Sequence, residues 1–174
     1  MTAPRHEGNG TCFKRPFRRG IALILTWSLS SVLPGVVAVA QASTTERVVV
    51  NRFSGLAIEG FDPVAYFVDG AAELGSEDFE APQDGAVWRF RNPGNRASFL
   101  AHPEIYGPQF GGYDPVDLAR GVSVAGSPRF WLISGQRLYL FSREESRDAF
   151  TADTARLLRS ATQRWPAILQ TLAE

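Results

Sequence analysis

The chain has 174 residues, 44% hydrophobic and 21% charged, with 18 basic against 18 acidic side chains, two His, one Cys and one Met. That length makes one domain, and the composition excludes collagen, coiled coil, a disulfide scaffold and the low-hydrophobicity regime of disorder. Zero formal net charge argues against a nucleic-acid partner, which calls for a clustered basic surface.

The charge is unevenly placed. Residues 1–20 carry Arg5, Lys14, Arg15, Arg18 and Arg19 against Glu7, and an apolar run follows from Ile21 to Ala42. A basic segment ahead of an apolar run is the layout of an export signal. Pro34-Gly35 breaks the run, and Ala40-Gln41-Ala42 offers the small-x-small pattern of a cleavage site. We therefore read residues 1–42 as a signal peptide, cut after Ala42 or alternatively after Ala40, that delivers the protein to the periplasm or outside the cell. Arg18-Arg19 leaves Sec and twin-arginine export both open. An uncleaved leader would instead be a membrane anchor, since the run is about as long as a bilayer span requires. The remaining chain holds 13 Arg, no Lys and no Cys against 17 acidic residues. A thiol nucleophile, a redox dithiol and a thiolate metal site are excluded from it.

Residues 43–54 read as a polar leader with a β-prone run, Val48-Val49-Val50, near which compact structure begins. Asp62-Pro63-Val64 places an N-cap before the first residue of a short helix, ended by Gly70. Asp84-Gly85 is a turn signal between Glu77–Pro82 and Ala86–Phe90, which predicts a hairpin. Asn92-Pro93 opens a helix that Pro103 interrupts, with His102 at the junction. Asp114-Pro115-Val116 then echoes the earlier Asp-Pro-Val, again with a following glycine, Gly121. Phe130–Ile133 and Leu138–Phe141 flank Ser134–Arg137 and predict a second hairpin. Ser142 with Glu145 has the spacing of a capping box at the start of a helical region running to about Ala173. Pro166 predicts that this region is two helices. Strands and helices are segregated along the chain, so the fold class is α+β: small antiparallel hairpins packed with short helices and a C-terminal helical region.

The stretch from Asp62-Pro63-Val64 through Trp88-Arg89-Phe90 to Phe99-Leu100-Ala101-His102-Pro103-Glu104-Ile105-Tyr106 resembles the YHS domain family. Gly111-Gly112-Tyr113, Trp131, Leu138-Tyr139-Leu140 and Trp165-Pro166 extend the resemblance to its longer, exported bacterial relatives, over about residues 55–168. The resemblance implies a YHS-like domain at 55–174 and a metal-related ancestry. Short members of the family are thought to bind metal through cysteines at positions that here are Ala65, Arg91 and Asn95. Longer relatives usually place a Cys after Gly-Gly-Tyr, where this chain has Asp114. Every thiolate is replaced.

Asp62 and Asp114 read first as helix caps, and, if they converge with His102, as oxygen and nitrogen ligands to a metal ion. His102 is the only His after residue 42 and reads as a helix-end residue or such a ligand. Tyr66, Tyr106, Tyr113 and Trp131 are candidates for lining a small-ligand pocket, against the alternative that they fill core and rim. No phosphate loop, dinucleotide fingerprint or nucleophile elbow occurs, and no catalytic residue is assigned. The interleaved charges from Arg143 to Arg164 read as a solvated helix face. The leading expectation is a monomeric, exported, non-enzymatic binding or accessory module whose partner is a protein or small ligand. The alternatives are a metal-binding protein using Asp62, Asp114 and His102, and an enzyme with a carboxylate acid–base pair. Membrane contact is expected only through an uncleaved leader.

Overall fold

The computed structural model describes residues 47–172. The proposed signal peptide lies outside them. Among the described residues, no helix is long and apolar enough to cross a membrane. The elements run α1 (Ala65–Val68), β1 (Ser76–Gln83), β2 (Ala86–Phe90), α2 (Pro93–Ala101), α3 (Pro103–Tyr106), α4 (Pro115–Leu118), β3 (Ser127–Ser134), β4 (Arg137–Phe141), α5 (Glu144–Ala152) and α6 (Thr154–Thr171). Two antiparallel two-stranded sheets, β1–β2 and β3–β4, sit among these helices, so the fold is α+β.

The Asp-Pro-Val echo extends into a full internal repeat. Each unit opens with a left-handed 3-10 turn, Ile58–Gly60 or Gln109–Gly112, in which Ile58 and Phe110 have φ of 41° and 54°. A bridge follows, Phe61 with Leu74 or Tyr113 with Ala125. The amides of Gly75 and Gly126 donate to Gly60 O and Gly112 O, each at 2.9 Å. The hairpins turn through paired positive-φ residues, Asp84-Gly85 and Gly135-Gln136, the geometry that matches strand twist. Both hairpins carry a register shift at the same place, between Ser76 and Glu80 and between Ser127 and Trp131. Core rings repeat as well: Trp88 lies 4.8 Å from Phe99 and Tyr139 lies 5.0 Å from Phe150, while Phe90–Phe99 and Phe141–Phe150 are both 5.3 Å apart.

The helix junctions are equivalent too. His102 between α2 and α3 has φ −143°, ψ 59°, and Asp153 between α5 and α6 has φ −147°, ψ 57°. In the first unit the second helix stops after Tyr106. In the second it continues to Thr171. The break in the C-terminal helical region is therefore at Asp153, and Pro166 lies inside α6. Ser142 forms no capping box, because Arg143 is the N-cap residue of α5 and makes no side-chain cap; the Ser142 hydroxyl is engaged by Asp114.

Alternation along β4 sorts its side chains between two cores. Leu138 and Leu140, with Trp131 and Ile133, pack with Ile58, Val64, Tyr66 and the rest of the first unit. Tyr139 and Phe141 turn to Phe150 and Leu157. The second hairpin thus covers the α1 face of the first unit, with Tyr66 and Trp131 rings 5.2 Å apart and the Tyr66 hydroxyl donating to Pro128 O at 2.9 Å. On the second unit the matching face, Leu118 and Phe110, is covered by Ala161, Trp165 and Ile168 of α6. The matching face of the first hairpin is polar: Arg89 pairs with Glu80 at 2.8 Å and Glu77 at 3.0 Å.

The N-terminal segment joins the core through Val48, which is buried. Its neighbour Val49 donates its amide to Gly111 O at 2.8 Å. A Cβ at Gly111 would lie 1.7 Å from Arg47 O, so this approach requires glycine.

Candidate functional site

The two aspartates of the repeat are fully buried, and an ionised carboxylate can be held there only if its oxygens are satisfied. Asp62 Oδ1 accepts the Val64 amide at 2.8 Å, and Oδ2 accepts the Arg91 amide at 2.8 Å and Asn95 Nδ2 at 2.6 Å. Asp114 Oδ1 accepts the Val116 amide at 2.8 Å, and Oδ2 accepts the Ser142 amide and hydroxyl, each at 2.8 Å. Each carboxylate therefore ties its Asp-Pro-Val turn to the start of the helix behind its own hairpin. The donors are all N–H or O–H groups, the environment of a structural anion.

Asp62, Asp114 and His102 do not form one group. Among the described residues, no three His, Cys, Asp or Glu side chains come together to hold a metal ion. His102 is solvent-exposed, with Nδ1 3.5 Å from Glu104 Oε1. Its place is explained by the helix junction that Asp153 occupies in the second unit.

A second polar group surrounds Asp114. Asp117 is buried, and Arg143 Nη1 donates to its Oδ2 at 3.1 Å while Arg120 Nη1 donates to Oδ1 at 3.3 Å. Arg143 also donates to Ser142 Oγ at 2.9 Å, and Asp117 holds the Arg143 guanidinium above its ordinary pKa. The two arginines balance the two carboxylates. Ser146, on the first turn of α5 where the first unit has Asn95, is buried, and its hydroxyl has no hydrogen-bond partner among the described residues.

Of the four aromatic pocket candidates, Tyr66, Tyr106 and Trp131 belong to the first core and Tyr113 packs on the α6 side of the second unit. Tyr66 is core, its phenol raised well above its ordinary pKa chiefly by burial. Trp131 packs on it, Tyr106 packs edge-on against Phe67 at 5.3 Å, and Tyr113 lies 5.9 Å from Trp165. Tyr113 lines a cleft of about 310 Å³ together with Val50 and Arg52; none of the four lines a further cleft of about 330 Å³, which lies between the first unit and α6. Trp88 and Phe99, both almost fully buried, line this cleft. Half-buried Phe110 and Trp165, with ring centroids 5.7 Å apart, line it from the second unit and α6. Exposed Arg47, Asp84 and Glu104 also line it. Trp88 and Trp165 stand in the motifs that carry the family resemblance. Nothing in the sequence signals that they share a cavity, since its lining comes from segments far apart in the chain.

Aromatic lining with a few charged groups can hold an organic ligand through its apolar body and orient it through its polar ends. No family model, curated protein or solved structure matches this chain.

Proposed function

We propose that this chain is an exported, monomeric, non-enzymatic binding module of YHS-like ancestry, and that the seam cleft is its ligand site. One observation carries the reading: the buried carboxylates of the repeat are saturated by backbone and side-chain donors, while the cleft combines aromatic rings with charged side chains. Cleft volume is at the small end of the range for ligand pockets, roughly 300–1,000 Å³, which suits a small molecule and not a folded partner. Export rests on the basic segment and apolar run of residues 1–42.

The test is native mass spectrometry of the protein recovered from a bacterial periplasm, with a Trp165→Ala variant beside it. A stoichiometric small-molecule adduct that the variant loses supports the module. A small-molecule adduct that survives Trp165→Ala but is lost on Asp114→Asn would move the site to the buried aspartate and overturn the assignment of the cleft. A bare mass, with no quenching of tryptophan fluorescence by a periplasmic small-molecule extract, would overturn the reading altogether.

A further inference from the structure

The seam cleft carries charges of both signs that do not neutralise each other. Arg47, Asp84 and Glu104 all line it, yet none of the ion pairs within 4.0 Å among the described residues joins Arg47 to either acid. Glu104 is paired only with His102, at 3.5 Å. The side chains of Arg47 and Asp84 make no hydrogen bond or ion pair to the described protein. The lining of the cleft also includes the aromatic rings of Trp88, Phe99, Phe110 and Trp165.

We propose that the cleft takes a small aromatic zwitterion, of the class of a free aromatic amino acid; this rests on the cleft being the ligand site. The ring of the ligand packs among the aromatic walls. Its carboxylate meets the Arg47 guanidinium, which can receive it in a two-pronged hydrogen bond. Its ammonium meets Asp84 and Glu104. An anion without an amine would bring no cation to Asp84 and Glu104, and an amine without a carboxylate would leave Arg47 unanswered. The volume of about 330 Å³ accommodates one ring system with its substituents, at the small end of ligand pockets.

The experiment titrates the full secreted protein with L-phenylalanine, phenethylamine and 3-phenylpropionate, read by calorimetry and tryptophan fluorescence. L-phenylalanine is expected to bind at least about tenfold more tightly than either truncated probe, a difference of about 1.4 kcal/mol. Arg47→Ala should weaken L-phenylalanine and 3-phenylpropionate and leave phenethylamine unchanged. Asp84→Asn with Glu104→Gln should weaken L-phenylalanine and phenethylamine and leave 3-phenylpropionate unchanged. Equal binding of all three, or binding that ignores these charge variants, overturns the zwitterion and leaves the cleft as an apolar site. Binding of none of the three, alongside a different cleft ligand found by mass spectrometry, overturns the ligand class alone. Binding of none with no adduct of any kind overturns the module as well.

Discussion

Asp62 and Asp114 hold equivalent backbone amides in the two units. Each accepts from the amide two residues on, Val64 or Val116, and from the amide that follows its hairpin, Arg91 or Ser142, all at 2.8 Å. Replacing either carboxylate by an amide keeps one acceptor and turns an NH2 group toward donors. We expect Asp62→Asn and Asp114→Asn each to destabilise by about 3 kcal/mol, the scale of losing charge-assisted bonds at a buried site. Urea unfolding followed by tryptophan fluorescence measures this, and a loss under about 1 kcal/mol would show that the carboxylates are not structural anions.

The unpartnered Ser146 hydroxyl and the engaged Ser142 hydroxyl should respond oppositely to the same change. Ser146→Ala removes a buried polar group that gains nothing, so stability should hold or rise. Ser142→Ala removes a donor to Asp114 and should cost about 1–2 kcal/mol. Thermal melting of the two variants compares them directly, and a Ser146→Ala loss as large as that of Ser142→Ala would contradict the assignment.

Glycine at 111 is required by proximity more than by dihedral angle. In the first unit Glu59 occupies the equivalent place with φ 56° and carries a side chain into solvent. Gly111, at φ 62°, has Arg47 O where its Cβ would go. Gly111→Ala should therefore detach the segment around Val48 and Val49, raising hydrogen exchange at the Val49 amide. Retained protection there would refute the contact.

Alkaline stability should follow Tyr66. Its folded-state pKa is raised above the ordinary value of 10 by burial first, then by Glu59 and Asp62. Below pH 10 both folded and unfolded chains keep the proton; above it the unfolded chain loses its proton first, so stability falls as pH climbs. Urea midpoints taken from about pH 8 to about pH 11 should decline. Tyr66→Phe should start about 1 kcal/mol lower, having lost the bond to Pro128 O, and decline less steeply. Parallel curves for the two proteins would assign the decline to other groups.

Local signals were legible where local physics decides. Asp84-Gly85 marked its hairpin, and Asn92-Pro93 and Asp114-Pro115 marked helix starts, with Asn92 and Asp114 each accepting an amide from the first turn. The repeat was visible only as Asp-Pro-Val, because its other positions answer to different surroundings. Arg89 and Leu140 are equivalent in register, but one meets Glu77 and Glu80 at the surface and the other meets the core of the first unit. Ser142 misled because a distant carboxylate competes for its hydroxyl, and Pro166 because α6 accommodates a proline within its length. The cleft had no local signature at all.

The unequal lengths of α3 and α6 decide which faces of the two units are covered. Units joined head to tail leave one donor face and one acceptor face unused, and such a contact propagates into open fibres unless both are blocked. Here the polar Arg89–Glu77–Glu80 face blocks one end, and α6, laid over Leu118 and Phe110, blocks the other. Long linear repeat proteins face the same demand and meet it with specialised terminal elements. In this chain the element over the second unit's face is a lengthened copy of a helix the first unit already has.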